Sequence, residues 1–400
     1  MLRPDTAAPE GTPLYVHLPF CAAKCHYCDF FSVPAEGQDR ASMVAAILAE
    51  AERFAPSRPE TVYFGGGTPS LLEREELERL LDGLDRITAF RGSASEVTAE
   101  CNPESLDREK ARALLDLGVT RLSIGIQSLR DEVLELFGRV HSADDGLRAY
   151  RDARAAGAGD VNVDLIYAVP GQTRADWDRD LDRILELEPD HVSAYNLTFE
   201  EETPFKRWLE EGRLSRSSED VELDLFWTTR EKTAARGFEA YEISNFARAG
   251  RRCRHNVNYW RNGPYLGIGP SAVSKIGITR AGNLKGTGVY ARRIAESGNA
   301  RAWDETPSAS RRLAETWWLG LRLREGLDPS DARRVAGIEP GIGAGIEGAT
   351  DAAVKVAVAM EDQGLLERSG ERFRLSTRGL PLADWVARRF LESAESTPGG

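Results

Sequence analysis

Three of the chain's five cysteines fall within eight positions, in CAAKCHYC at 21–28. A structural zinc site takes four ligands, usually as two CxxC pairs, and a disulfide framework takes an even number of cysteines in a short secreted chain. Cys21, Cys25 and Cys28 fit neither pattern. Thiolates also hold iron–sulfur clusters, ordinarily one per iron. Three thiolates on a four-iron cube leave one iron without a protein ligand, and an open iron can bind a substrate or cofactor directly. Cys101 and Cys253 stand far along the chain, each without a partner thiol beside it. The competing reading is a zinc ion completed by His17 or His26.

Other polar residues stand where a ligand would need them. GGGTP at 65–69 has no side chains to block a ligand's approach to the backbone. It is not a P-loop, because no Gly-Lys-Ser/Thr follows. Glu100, Gln127 and Asp164 are read as the ends of successive strands, which would point them into one mouth. A carboxylate suits ribose hydroxyls or an ammonium, and the planar fork of Arg139 suits a carboxylate. HNVNYW at 255–260 offers an imidazole among aromatic rings. A neutral imidazole is a standard axial ligand of haem iron, and aromatic neighbours can cover a porphyrin face. The same run also reads as a histidine hydrogen-bonded in a loop, with Tyr259 and Trp260 packed in the core.

The elements that must position these residues show as an alternation. Apolar runs at 14–20, 61–67, 96–101, 121–127, 160–167 and 191–197 are separated by stretches such as REELERLLDGLDR (74–86) and SLDREKARALLDLG (105–118), whose leucines recur at helical spacing. Six strands, each followed by a helix, predict an α/β fold with a partial (β/α)6 barrel. The cysteines follow the first strand at the end where barrels place their chemistry. The expected organisation is a barrel core over 1–200, an extension carrying HNVNYW over 201–300, and a C-terminal α+β module over 301–400. Residues 219–236 read as a helix, 239–247 as a strand entering a loop, the glycine-rich 261–274 as turns, and 308–325 as a helix. GLLERSGERFRLS at 364–376 reads as a β-ribbon, which makes the last module winged-helix-like; the terminal STPGG reads as frayed.

Four hundred residues with 41% hydrophobic content can bury a full core. No apolar run resembles a secretory signal or a membrane span, and few cysteines without a signal point to a reducing cytoplasm. A net charge of −12 argues against nonspecific binding to nucleic acid and against adsorption to an anionic membrane.

CxxxCxxC with Tyr27 before its last cysteine resembles the cluster motif of the radical S-adenosylmethionine (SAM) superfamily. The resemblance implies a 4Fe-4S cluster on Cys21, Cys25 and Cys28, with SAM chelating the open iron. It implies Gly66, Gly67 and Thr68 at the methionine ammonium, with Tyr15, Tyr27, Glu100, Gln127, Arg139 and Asp164 completing the SAM site. From about residue 14 to 390 the chain resembles the coproporphyrinogen dehydrogenase branch. Two features depart from the dehydrogenases: Asp29 and Phe30 follow Cys28 where those enzymes carry a further cysteine, and their longer N-terminal extension is missing before the first strand. HNxxYW instead resembles the haem chaperones of that branch. That implies haem as a further ligand, with His255 the first candidate for its iron, and no residue assigned a catalytic role. It also implies respiratory haem proteins as recipients, and a cytoplasmic protein that meets the inner face of the membrane peripherally when the recipient is membrane-bound. The alternatives are an oxygen-independent coproporphyrinogen oxidase and, from the winged-helix-like tail alone, a radical enzyme that modifies nucleic acid.

Overall fold

A computed structural model describes residues 7–338 and 344–395; the terminal STPGG lies outside them. The first strand, β1 (Leu14–Leu18), leads into the cysteine loop, which is framed by the short parallel pair β2 (Phe20–Cys21) and β3 (Val33–Pro34). Then come β4 (Thr61–Gly66), β5 (Glu96–Cys101), β6 (Arg121–Gln127), β7 (Val161–Tyr167) and β8 (His191–Asn196). These strands are buried almost throughout, and their apolar side chains alternate with polar ones such as Glu100, Ser123, Asp164 and Ser193. Each neighbouring pair from β1 and β4 through β8 is parallel, as a βαβ repeat requires.

The intervening helices start where short polar side chains can take up free backbone N–H groups. Asp39 caps Arg40–Phe54 and Asp107 caps Arg108–Asp116, while Ser142 and Thr173 form capping boxes with Asp145 and Asp176.

Beyond β8 the sheet is completed by β9 (Glu239–Ala240) and the antiparallel β10 (Asn245–Ala247) at one edge, and by β11 (Leu266–Ile268) at the other. Among the described residues this sheet has nine strands in the order β11-β1-β4-β5-β6-β7-β8-β10-β9, and it stays open. The strand β11 corrects the expectation of turns over 261–274. It pairs in parallel with β1, Leu14 opposite Leu266 and Val16 opposite Ile268, and all three of its residues are buried. Gly267 sits there because a Cβ would come within 2.2 Å of the Val273 carbonyl oxygen. HNVNYW is also not a loop: Arg254–Trp260 is a short helix.

An antiparallel sheet of β12 (Val273–Ile276), β13 (Thr279–Asn283) and β14 (Arg301–Glu305) follows. The C-terminal part contains the helices Ala309–Gly320, Pro329–Val335, Ala344–Asp362 and Ala383–Glu395 and the hairpin β15 (Leu366–Ser369)–β16 (Arg372–Leu375). It has its own apolar centre, where Trp317 stacks on Phe390 at 5.0 Å and meets Phe373 edge-on at 5.7 Å. Phe226, from the helix Glu219–Ala235, belongs to that centre and ties it to the sheet.

Candidate cluster and cofactor site

The cysteine loop is held from several sides. Its backbone accepts and donates across the fold: His26 N to the Phe137 carbonyl at 2.9 Å, Phe205 N to the His26 carbonyl at 3.0 Å, and Ala35 N to the Cys21 carbonyl at 2.9 Å. Tyr27 packs edge-on against Phe137 at 4.8 Å, within an apolar cluster that includes Phe205. Cys21, Cys25 and Cys28 are all free thiols facing one cavity. Thr68 Oγ1 donates to Cys21 Sγ at 3.6 Å, and Arg139 Nη1 to Cys25 Sγ at 3.4 Å.

The glycine run is fastened to the exit of β1. Gly67 N donates to the Leu18 carbonyl at 2.8 Å and Thr68 N to the Phe20 carbonyl at 2.7 Å. A Cβ on Gly67 would lie 2.6 Å from both of those oxygens, so this approach requires glycine. Gly66 has φ +98°, and its N–H donates to Glu100 Oε2 at 3.2 Å.

Glu100 is fixed on its other side by Tyr63, whose hydroxyl donates to Oε1 at 2.8 Å. Burial pushes this carboxyl up to about 7, against the Tyr63 hydrogen bond and with the Asp164 carboxylate adding to the rise. The Tyr63 ring in turn rests on His255, 5.2 Å between centroids. His255 is fully buried; its Nδ1 pairs with Thr61 Oγ1 at 2.8 Å and its Nε2 with the Tyr259 hydroxyl at 2.9 Å. Burial pushes its imidazole down to about 3. In this fold both ring nitrogens are hydrogen-bonded, so His255 would have to give up Thr61 or Tyr259 to reach a haem iron. Tyr15 also stands behind the cavity, its hydroxyl paired with His17 Nδ1 at 3.1 Å.

Across the cavity, Arg139 follows the helix Asp131–Phe137 and reaches back over β6. Its Nη2 donates to Asn102 Oδ1 at 2.7 Å and to the Gly125 carbonyl at 2.6 Å. Asn102 Nδ2 then donates to Thr68 Oγ1 at 2.8 Å, so one hydrogen-bonded chain joins β6, β5 and the glycine run to Cys21 and Cys25. Gln127 closes β6 beside a register shift, with φ +68°. Asp164 lies in the middle of β7 and not at its end, a correction to the expected position. It still faces the same cavity, where its two oxygens accept from Ser123 Oγ at 3.0 Å and Asn162 Nδ2 at 2.8 Å.

The expected ligand residues Tyr27, Gly66, Gly67, Thr68, Glu100, Gln127, Arg139 and Asp164 therefore line one space with the three cysteines, while Tyr15 and His255 support it from behind. Asn102 and Tyr63 are site residues that sequence reasoning passed over. Asn102 had a visible signal, because it follows Glu100 by two positions at a strand end. Tyr63 had none, because its partner is 37 residues away.

The donor set fits an iron–sulfur cube. Each thiolate of such a cluster serves a different iron, and Cys21, Cys25 and Cys28 offer three thiols to one cavity. Neither candidate histidine faces the cavity that the three thiols line: His17 Nε2 donates to the Phe31 carbonyl while its Nδ1 is taken by Tyr15, and His26 Nδ1 donates to the Leu136 carbonyl with its ring against Trp208. Burial raises the Cys21 thiol and pushes Cys28 up to about 11, so both need metal charge to ionise. Cys101 borders the same cavity, but its thiol is buried, donates to the Ala99 carbonyl at 3.6 Å and is pushed up to about 12 by that burial, while Cys253 is buried away from it, donating to Glu96 Oε1 at 3.4 Å.

The open parallel sheet and the cysteine loop at the exit of β1 define a radical SAM protein, and the radical SAM superfamily profile matches residues 15–184. A protein of Bacillus subtilis named Heme chaperone HemW is 33% identical over 94% of this chain and 98% of its own length. Its namesake in Mycobacterium tuberculosis is 37% identical over 97% of both chains. The chain belongs to the HemW family of radical SAM proteins. The solved structure of Escherichia coli coproporphyrinogen III oxidase (HemN) superposes with a TM-score of 0.80 over 96% of this chain and 90% of that one. At 23% identity that likeness concerns the fold.

Proposed function

We propose that this protein is a haem chaperone of the HemW type, which holds a 4Fe-4S cluster on Cys21, Cys25 and Cys28, binds SAM beside it, and carries haem to respiratory haem proteins. The observation that carries the reading is similarity to relatives named heme chaperones across 94–97% of the chain, well past the superfamily match at 15–184. The size of the cavity supports it. At about 1500 Å³ it exceeds the roughly 300–1,000 Å³ of a site for one small ligand.

When bound, the cluster supplies an iron with an open coordination position and an electron donor for the SAM sulfonium. The chain's own residues do the rest. Thr68 and Arg139 donate to the sulfurs of Cys21 and Cys25 and stabilise them as thiolates. Glu100, once ionised, offers an acceptor to the SAM ammonium or ribose hydroxyls, and Gly66 and Gly67 leave the backbone open to the methionine end. The rings of Tyr27, Phe137 and Phe205 keep water from the back of the loop. Delivery to a membrane-bound recipient would run through peripheral contact. No helix among the described residues is long and apolar enough to cross a membrane.

The test is anaerobic reconstitution of wild type and the Cys21→Ala, Cys25→Ala and Cys28→Ala variants. It is followed by haem titration and an assay of coproporphyrinogen conversion with SAM and reductant. Wild type should hold about four irons, develop a Soret band on haem addition, and convert no porphyrinogen. Each variant should lose the cluster absorption. Porphyrinogen turnover would make the oxidase the better reading, and full iron in all three variants would remove the cluster assignment.

A further inference from the structure

If haem is carried, it needs a seat, and the HNVNYW helix does not provide one. Among the described residues each of the five imidazoles is tied into the fold. His191 donates to Asn162 Oδ1 and pairs with the Tyr241 hydroxyl, His141 donates to the Ile126 carbonyl, and His17, His26 and His255 are held as described above. None of the five faces the large cavity.

Apolar surface marks a different place. Four large hydrophobic side chains that stand open, Phe30 (63%), Leu382 (44%), Leu223 (42%) and Tyr195 (40%), all line this one cavity. Open apolar side chains gathered on one concave surface mark a binding site far better than the same residues scattered singly. Phe30 is on the cysteine loop. The other three lie on the β8 side: Tyr195 on β8, Leu223 on the helix Glu219–Ala235, and Leu382 on the segment entering the last helix. Behind them Phe226 and Trp227 pack into the C-terminal centre, so the wall is rigid and shared by both parts of the molecule.

Charge divides the rim. On the C-terminal side Arg322 and Asp384 pair at 2.8 Å, which leaves Arg378 as the exposed guanidinium there, whereas Glu219 and Glu222 approach from the helix, Glu222 accepting from Asn196. An apolar slot with a guanidinium at one edge and carboxylates at the other matches a flat macrocycle with its acidic groups on one side.

Resting on the carrier reading above, we infer that haem seats on the β8 side of this cavity, its faces against Tyr195, Leu223 and Leu382 and its propionates toward Arg378. The cysteine side remains for the cluster and SAM. Held by its faces and edge without an imidazole on the iron, haem there can be released to a partner that supplies one.

The experiment titrates haem into reconstituted wild type, the double variant Leu223→Glu/Leu382→Glu, Arg378→Glu and His255→Ala, with iron content and SAM affinity measured in each. Leu223 and Leu382 are open to the cavity, so the fold should tolerate both changes. The double variant should bind haem about tenfold more weakly or worse, because it places charge against an apolar face. Arg378→Glu should weaken haem binding several-fold, and both variants should keep wild-type iron content and SAM affinity. His255→Ala should keep its haem affinity. Wild-type haem affinity in both cavity variants, in a protein that does bind haem, overturns this seat and leaves the carrier reading standing. Loss of haem binding in His255→Ala with iron retained would also overturn it. A wild type that takes up no haem removes the carrier reading itself, and the seat with it.

Discussion

Glu100 joins three parts of the site: its carboxylate is held by Tyr63 and Gly66, and its titration is pushed up to about 7 by burial. Between its ordinary value of 4.5 and about 7 the folded protein keeps a proton that the unfolded chain has released. Stability from this group therefore falls as pH rises through that interval. For SAM-free protein, the urea midpoint should drop more from about pH 5 to about pH 7 in wild type than in Glu100→Gln; equal drops would show that Glu100 is not the group responsible. His255 reaches the same carboxylate indirectly, through the Tyr63 ring. His255→Ala removes two buried hydrogen bonds, which should cost about 2 kcal/mol or more of stability, and it should weaken SAM binding several-fold with the iron content intact. Calorimetry showing unchanged SAM affinity would reduce His255 to a packing residue. At this scale the cysteines were legible because their spacing is local and specific. The role of His255 was not, because its type suits a ligand, and besides Tyr259 on Nε2 it takes the distant Thr61 on Nδ1 and Tyr63 on the ring to show that it is fully engaged.

The element that matters most to the site is the seam between β1 and β4, which carries the cysteine loop on one strand's exit and the glycine run on the other's. Two backbone hydrogen bonds continue that seam past the strand ends, to Gly67 and Thr68. Gly67→Ala would drive a methyl group into the Leu18 and Phe20 carbonyls, which cannot yield as a side chain would. The variant should be destabilised by about 1–3 kcal/mol and should assemble less cluster, because Thr68 would no longer be held beside Cys21. Wild-type iron loading and an unchanged denaturation midpoint would show that the seam does not position the loop. The six parallel strands were readable as apolar runs alternating with helical ones. The strand β11 was not, because three residues centred on Gly267 carry no period, and that glycine marks a close backbone contact where it reads as part of a turn. The apolar run at 160–167 already carries β7 to Tyr167, where its pairing with β8 also ends, so the mid-strand position of Asp164 was legible in that run.

On the scale of the whole molecule, the barrel sheet and the C-terminal part share one cavity, with the cysteines at one side and Leu382 at the other. Phe226 belongs to the apolar centre of the C-terminal part although it lies on a helix that packs beside β8. The C-terminal part therefore adds one wall to the cavity, through Arg322 and the segment from Thr377 to Asp384, and sequence periodicity could predict the parts but not the wall they share. The charge of −12 sets the expected mode of transfer: haem should pass by protein–protein contact, and vesicles of anionic lipid alone should not draw the protein down. The central claim is that this chain carries haem and hands it on. The most direct measurement loads the anaerobic, cluster-containing protein with haem, mixes it with an apo haem protein that offers an imidazole ligand, and follows the Soret spectrum of each after separation. Haem should leave this chain and appear on the acceptor, faster than free haem is taken up. Haem that never binds, or that stays on this chain in the presence of excess acceptor, would contradict the account.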